Sequence, residues 1–379
     1  MIELSSPHVG AKTQEGRTVY SIQALRAIAA LMVVMEHSIY LWLARIRHTP
    51  NEPFWMNGAA GVDIFFVVSG FVMTISLSGL LKYRHPVRLF LKRRILRIVP
   101  LYWIATTLKI VLLLLLPSLA LHQGIAPMNV LGSYLFLPVP NAEGLVVPVI
   151  VVGWTLNFEM FFYLIFALAM FIQRRILTVL VPVLGSLAIL GLFFGEPSWP
   201  SISAFASPML LEFLFGVVIA RITSTRRPPY LISWILLIAG FLMLLSLCPH
   251  LPMPHEASLA RWRFLIWGVP AASIVLGAVG LESNFAPIIP KWLISLGDAS
   301  YAIYLVQTFF LPFVGIVIVE LKLTGTLALA VSIVGSLMLS AVAGELTHRF
   351  VELPILRKLK RSTPLPSLLV VGSIAEKNM

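Results

Sequence analysis

Ten blocks of apolar residues run through this chain, at 20–44, 58–81, 98–117, 150–172, 177–195, 203–222, 230–248, 263–281, 299–320 and 324–346, each close to the ~20 residues a helix needs to cross a bilayer. Of 379 residues, 59% are hydrophobic and only 12% charged, with mean hydropathy +0.93. That is more apolar side chain than a water-facing fold of this size buries. The expectation is an all-α polytopic membrane protein of about ten transmembrane helices. A membrane domain spans 19–361, between cytoplasmic tails at 1–18 and 362–379. The stretch 126–139 is too short and too proline-flanked to span, and reads as an interfacial or re-entrant piece. The first twenty residues lack the charged stub and short apolar core of a cleaved leader, so the first block reads as a retained anchor.

Basic residues orient the chain. With the N-terminus inside, 22 of the 28 Lys and Arg fall on the cytoplasmic side, including the run from Lys82 to Arg97. Arg45, Arg47, Arg261, Arg263 and Lys322 fall outside, and Lys109 lies within a span. This bias places both termini in the cytoplasm of a multi-pass inner-membrane protein. The net charge of +12 is thereby explained by topology, and nucleic acid is not an expected partner. The single cysteine, Cys248, excludes an internal disulfide and a cysteine metal cluster. P-loop and zincin motifs are absent, and no metal is expected.

Ionisable groups inside a bilayer are costly and tend to mark a reacting site or a pathway. Arg26 and His37 lie in the first block, eleven residues apart. On a helix they are about 16 Å apart along the axis and roughly 20° apart around it, so they share a face at different depths. On the ten-helix map Glu36, His37, Asp63 and Glu159 share the outer half. Arg26, the cluster Lys92, Arg93, Arg94 and Arg97, and the helix ends around Ser300, Arg349 and Glu352 share the inner level. Carboxylates around an imidazole suit proton transfer, and an inner layer of guanidinium groups suits a polyphosphate ligand. Asp63 and Glu159 are candidates for holding the histidine tautomer or an acceptor hydroxyl. Glu36 points about 100° away from His37 on the same helix. Ser69 and Gly70, small residues near the middle of the second block, could let a slender ligand approach closely. The aromatic run 160–166 reads as packing or lipid-facing surface.

The segments SIQALRAIAALMVVMEHS (21–38), GVDIFFVVSGFVM (61–73), LKRRILRIVPLYW (91–103), GWTLNFEMFFYL (153–164), LISLGDASYAIYLVQ (293–307) and THRFVELP (347–354) together resemble the acyltransferase 3 family of membrane O-acyltransferases. Within it they look most like the rhizobial exopolysaccharide and nodulation-factor O-acetyltransferases. The resemblance covers about 20–360. Arg26 and His37 match the family's Arg-x10-His pair, and Phe65 to Gly70 its FFVxSG motif. Arg93, Arg94, Arg97 and Pro100 match its basic motif. Trp154, Thr155, Leu156 and Glu159 match loosely its Trp-Ser-Leu-x-x-Glu motif. In the family the motif after SYxxYL often ends in histidine, where this chain has Gln307, which cannot act as an acid. Some relatives carry a soluble esterase-like domain, for which the tail after 361 leaves no room.

The resemblance implies transfer of an acyl group, chiefly acetyl, from acyl-CoA (acetyl-CoA) to a hydroxyl of a cell-surface or exported glycan. The acceptor would be an exopolysaccharide, lipopolysaccharide or lipo-oligosaccharide, including lipid-linked forms supplied by polysaccharide biosynthesis machinery. His37 would be catalytic base or transient acyl acceptor. Arg26, Arg93, Arg94 and Arg97 would hold the phosphates, and the pantetheine arm would lie between the first two helices, past Ser69 and Gly70. No permanently bound cofactor is implied. The rival reading, a secondary transporter or flippase for a lipid-linked sugar, would be favoured by inverted repeats and paired broken helices, which the sequence does not display.

Overall fold

The computed structural model describes residues 18–49, 52, 56–115, 126–172, 176–194, 204–246 and 261–361. Among the described residues the chain is helical and contains no β-strand. The helices are α1 (Tyr20–Trp42), α2 (Ala60–Leu80), α3 (Pro86–Leu115), α4 (Pro127–Leu135), α5 (Trp154–Ile172), α6 (Leu177–Phe194) and α7 (Leu210–Thr225). They continue as α8 (Tyr230–Ser246), α9 (Val269–Gly280), α10 (Glu282–Phe285), α11 (Lys291–Asp298), α12 (Ser300–Glu320), α13 (Gly325–Thr347) and α14 (Leu353–Arg361). Among the described residues, each of the ten apolar blocks contains helix. Seven helical stretches are long and apolar enough to cross a bilayer: Tyr20–Arg47, Asn57–Leu80, Pro86–Leu115, Val151–Ile172, Arg261–Gly280, Ser300–Glu320 and Gly325–Leu359. α6 and α8 are shorter apolar helices, and α7 has 16 residues with Glu212 in its first turn. Phe171, Phe193 and Leu115 are each more than 70% exposed, an outer surface that lipid, not water, must cover. Tail residues 1–17 and 362–379, together with Cys248, lie outside the described residues.

The third block differs from expectation at its start. Its helix begins at Pro86, whose fixed φ suits a first helical turn, and not at 98. With 30 residues it is about 45 Å long, against ~30 Å of hydrocarbon, so its first turns project beyond the apolar layer. The basic run from Arg88 to Arg97 is therefore helix, not loop, and its side chains have fixed directions. The proline-flanked piece forms the nine-residue α4. The Asn129 amide ties it to the chain that follows, donating to the carbonyls of Val139 (2.9 Å) and Val147 (2.7 Å).

Contacts along α1 set the geometry of the centre. Gly61 of α2 faces Ala29, and Gly58 faces Met32 and Glu36, so α1 and α2 run antiparallel. Arg26 meets Ser300 and His37 meets Gln307, so α1 and α12 run parallel. α2 and α7 touch backbone to backbone: a Cβ at Gly70 would strike the Phe213 carbonyl, and one at Gly216 the Val67 carbonyl. Phe213 is in turn stacked between Phe66 (4.5 Å) and Phe162 (4.3 Å), all three buried. Phe162 and Phe166 of the aromatic run are fully buried core packing, whereas Leu164 is exposed on the outer surface.

An ion pair not expected from the sequence locks the end of the bundle that holds the start of α2. Arg263, assigned by charge counting to an external loop, is buried at the head of the helical stretch that leads into α9. Its Nε donates to Asp63 Oδ1 (3.1 Å), and its Nη2 to Asp63 Oδ2 (2.8 Å) and to the Ala59 carbonyl (3.1 Å). The guanidinium lies 4.6 Å from the Trp267 ring centre, and Glu212 of α7 is buried beside the pair. Removing one member of such a pair strands a buried charge, at a cost of about 3–5 kcal/mol. Arg263→Ala is expected to lower the melting temperature of the detergent-solubilised protein sharply. The double change Asp63→Leu with Arg263→Met should recover part of the loss. A single mutant melting with the parent would show that the pair does not hold the bundle.

Candidate active site

A cavity of about 250 Å³ lies among α1, α2, α3, α5 and α12. α2 lines it with Val62, Phe65, Ser69, Val72 and Ser76. These are spaced three and four residues apart, so a single helix face forms a wall about 21 Å long. Arg93, Arg94 and Arg97 of α3 close one end of it, the end that the ten-helix map expects at the inner level. Arg97 stands one turn from both, at i+4 from Arg93 and i+3 from Arg94, so the three side chains cover one sector of about 100° on a helix that has already begun. The Arg94 guanidinium lies 5.6 Å from the ring centres of both Phe90 and Tyr163, and Arg93 lies 5.8 Å from that of Tyr83. Arg94 Nε is buried with no hydrogen-bond partner among the described residues.

Arg26 enters the same cavity from α1 and is 6% exposed. Its Nη1 donates to Gln23 Oε1 and its Nη2 to Ser300 Oγ, both at 2.8 Å. The Gln23 amide is anchored on Asp298 Oδ1 (2.6 Å). The guanidinium is thus aimed by neutral groups. Among the described residues no carboxylate lies within ion-pair distance of Arg26, Arg94 or Arg97. One carboxylate faces the cavity: Glu159, whose Oε1 accepts from Ser69 Oγ (3.1 Å) and from the Tyr163 hydroxyl. Four guanidinium groups against one carboxylate leave the cavity positive; Arg93 is exposed and Arg94 and Arg97 are half-buried, whereas Arg26 is buried, and its charge is held in a low-dielectric setting only at a cost unless an anion shares it.

At the opposite end the cavity is bounded by Val62, Thr155 and Tyr304. The Tyr304 hydroxyl donates to the Val152 carbonyl (2.9 Å) and lies 3.0 Å from Thr155 Oγ. One turn further along α12, Gln307 Oε1 lies 3.2 Å from His37 Nδ1. His37 is half-buried and stands just beyond the cavity, not in its wall.

The structure therefore divides the expected site residues. Arg26, Ser69, Arg93, Arg94, Arg97 and Glu159 come together in the cavity. The outer ring of carboxylates around His37 does not form. Asp63 is committed to Arg263, and Glu159 bonds to Ser69 midway along α2. Glu36 packs its Cβ and backbone against Gly58. Gly70 faces α7, where it admits the Phe213 backbone in place of a ligand. The path expected between the first two helices is closed at Gly61 against Ala29; the open path runs along the other face of α2, toward α3 and α5. In the sequence Tyr163 reads only as part of an aromatic packing run, Tyr304 has no assigned role, and Gln307 stands only as a departure from the family motif. The signal was spacing: Tyr163 is four residues from Glu159, and Ser300, Tyr304 and Gln307 fall on one helical face.

A bundle of apolar helices around a positively charged cavity defines a polytopic membrane protein with a site for an anionic ligand. Comparison with known proteins gives its family: a model described as an acyltransferase domain matches residues 19–345. The chain belongs to the acyltransferase 3 family and is a membrane O-acyltransferase. It is 33% identical over 305 residues to the exopolysaccharide production protein ExoZ of Rhizobium meliloti, covering 79% of this chain and 90% of that protein. Acyltransferase MdmB of Streptomyces mycarofaciens is 26% identical over 343 residues, 81% of this chain and 83% of that protein. O-acetyltransferase OatA of Staphylococcus aureus is 25% identical over 378 residues, 92% of this chain and 58% of that protein. No solved structure matches the chain.

Proposed function

We propose that this protein works in the bacterial inner membrane and transfers an acetyl group from acetyl-CoA, entering from the cytoplasm, to a hydroxyl of an exported glycan of the exopolysaccharide kind. The observation that carries this reading is the buried positive cavity, with Arg26 and Arg94 lacking any carboxylate partner and the α2 wall leading from them toward His37. Guanidinium groups suit phosphate oxygens, and an apolar wall about 21 Å long suits a slender pantetheine chain. The names of ExoZ and OatA support the glycan and the acetyl group respectively. The ten-helix map, with both termini in the cytoplasm, supports the direction of donor entry.

In the proposed step the acceptor hydroxyl attacks the thioester carbonyl while His37 takes its proton. The C–O bond forms as the C–S bond breaks, and the coenzyme A thiolate leaves with the proton that His37 returns. The products are the acetylated glycan and the free thiol. Phosphates held at the inner end position the thioester at the other, so donor binding is spent on orientation.

Arg94→Ala and Arg97→Ala should each weaken coenzyme A binding roughly ten- to hundredfold, since a charged hydrogen bond is worth about 1.5–3 kcal/mol. Arg97→Lys should restore only part, because the fork geometry is lost. Unchanged binding in all three, by titration of the purified protein, would return these residues to a purely topological role. Reporter fusions after residues 90, 224 and 361 are expected to be cytoplasmic, and those near 50, 125 and 255 periplasmic. Fusions at 90 and 125 on one side would break the ten-helix map. In liposomes with labelled acetyl-CoA and a polysaccharide acceptor, His37→Gln should bind donor normally yet slow transfer by about 10²–10⁴-fold. Transfer at the parental rate would remove His37 from the chemistry.

A further inference from the structure

His37 has one hydrogen-bond partner among the described residues, and that partner has only one way to face it. Gln307 is buried on α12, 1% exposed, with its two amide ends engaged on different groups. Its Nε2 lies 3.0 Å from the Tyr304 carbonyl, and its Oε1 lies 3.2 Å from His37 Nδ1. A carbonyl oxygen only accepts, so the NH₂ end must point to Tyr304. Flipping the amide would set two acceptor oxygens against each other at that distance. The end facing the histidine is consequently an oxygen, which also only accepts. In the neutral ring the proton must then sit on Nδ1, and the lone pair on Nε2.

We infer that Gln307 is a positioning residue that fixes His37 in the Nδ1–H tautomer, leaving Nε2 as the nitrogen that receives the acceptor's proton. The inference rests on the catalytic reading of His37 given above. It also recasts the departure from the family motif. Gln307 was suspect because an amide cannot give up a proton, but at this place the requirement is to accept one hydrogen bond in a fixed direction. An amide whose other end is held by its own helix meets that requirement without ambiguity. A second imidazole could present either a donor or an acceptor nitrogen. Tyr304 links the two ends of the arrangement, since its ring bounds the cavity while its carbonyl sets the amide. The side chain that ends the donor path and the backbone group that orients the base belong to one residue.

The test uses the full-length protein in nanodiscs, comparing Gln307→Leu, Gln307→Glu and His37→Gln. Gln307→Leu keeps volume but offers no acceptor. It should cut kcat about 10–100-fold with the KM for acetyl-CoA nearly unchanged, the size seen when an orienting partner of a histidine is removed. Gln307→Glu keeps an acceptor oxygen at the same reach and should restore most of that loss. Protein labelled with ¹⁵N-histidine, with the His37 signal assigned by its absence in His37→Gln, should show the proton on Nδ1 in the parent and a mixture of tautomers in Gln307→Leu. A merely structural glutamine would change protein yield and leave the tautomer alone. If His37→Gln is inactive while Gln307→Leu matches the parent in kcat and tautomer, the positioning role is overturned and the catalytic histidine stands. If His37→Gln is fully active, the catalytic reading fails first. Should Gln307→Leu not fold, a proton found on Nε2 in the parent spectrum overturns the inference by itself.

Discussion

Buried positive charge without a carboxylate to balance it is the constraint on which this structure turns. Arg26 is fixed by Gln23 and Ser300, and Gln23 by Asp298, so the guanidinium is held in place by neutral contacts with its charge unspent. Arg94 lies against two adjacent aromatic rings, Phe90 and Tyr163, with a buried Nε that has no hydrogen-bond partner among the described residues. A fold that served only to cross the membrane would gain by replacing these groups with apolar side chains of similar volume. Keeping them, converged on one cavity with the single carboxylate Glu159, makes sense where an anion completes the site. The early start of α3 serves the same requirement, because a helix that has begun before Arg93 fixes the directions of Arg93, Arg94 and Arg97.

Arg263 shows the opposite use of the same side chain. It satisfies Asp63 with two hydrogen bonds and caps the Ala59 carbonyl, so its charge is already balanced by a carboxylate. The two arginine sites stand on opposite sides of α2, one tying it to the α9 stretch and α7, the other opening toward α3 and α5. Backbone contacts at Gly61, Gly70 and Gly216 close the remaining faces of that helix. The donor path is in this sense a remainder: it is the face of α2 that tight packing leaves open.

Much of this was legible in the sequence. Apolar block length gives the helical bundle, because a bilayer forces the backbone to satisfy itself. The Arg26 and His37 pair, and the face shared by Arg93, Arg94 and Arg97, follow from helical periodicity. Partnership across helices was not legible. Depth alone put Asp63 and Glu159 beside His37, yet rotation about the helix axis turns Asp63 to Arg263 and Glu159 to Ser69 and Tyr163. Charge counting put Arg263 outside because it cannot tell a loop arginine from one that enters the bundle with a carboxylate waiting. Gly70 read as room for a ligand, whereas the space is filled by the Phe213 backbone. Gln307 looked like a lost function because the motif was judged by acidity, and only the geometry of its two amide ends shows what it can do.

The central claim is that the positive cavity binds the donor with its phosphates inward and its thioester toward His37. A cryo-EM structure in nanodiscs with a non-hydrolysable acetyl-CoA analogue tests it directly. The account predicts phosphate density against Arg93, Arg94, Arg97 and Arg26, and the thioester position at the level of Val62 and Tyr304. Donor density seated outside the α2 wall, or running with its acyl end at the arginines, would contradict it.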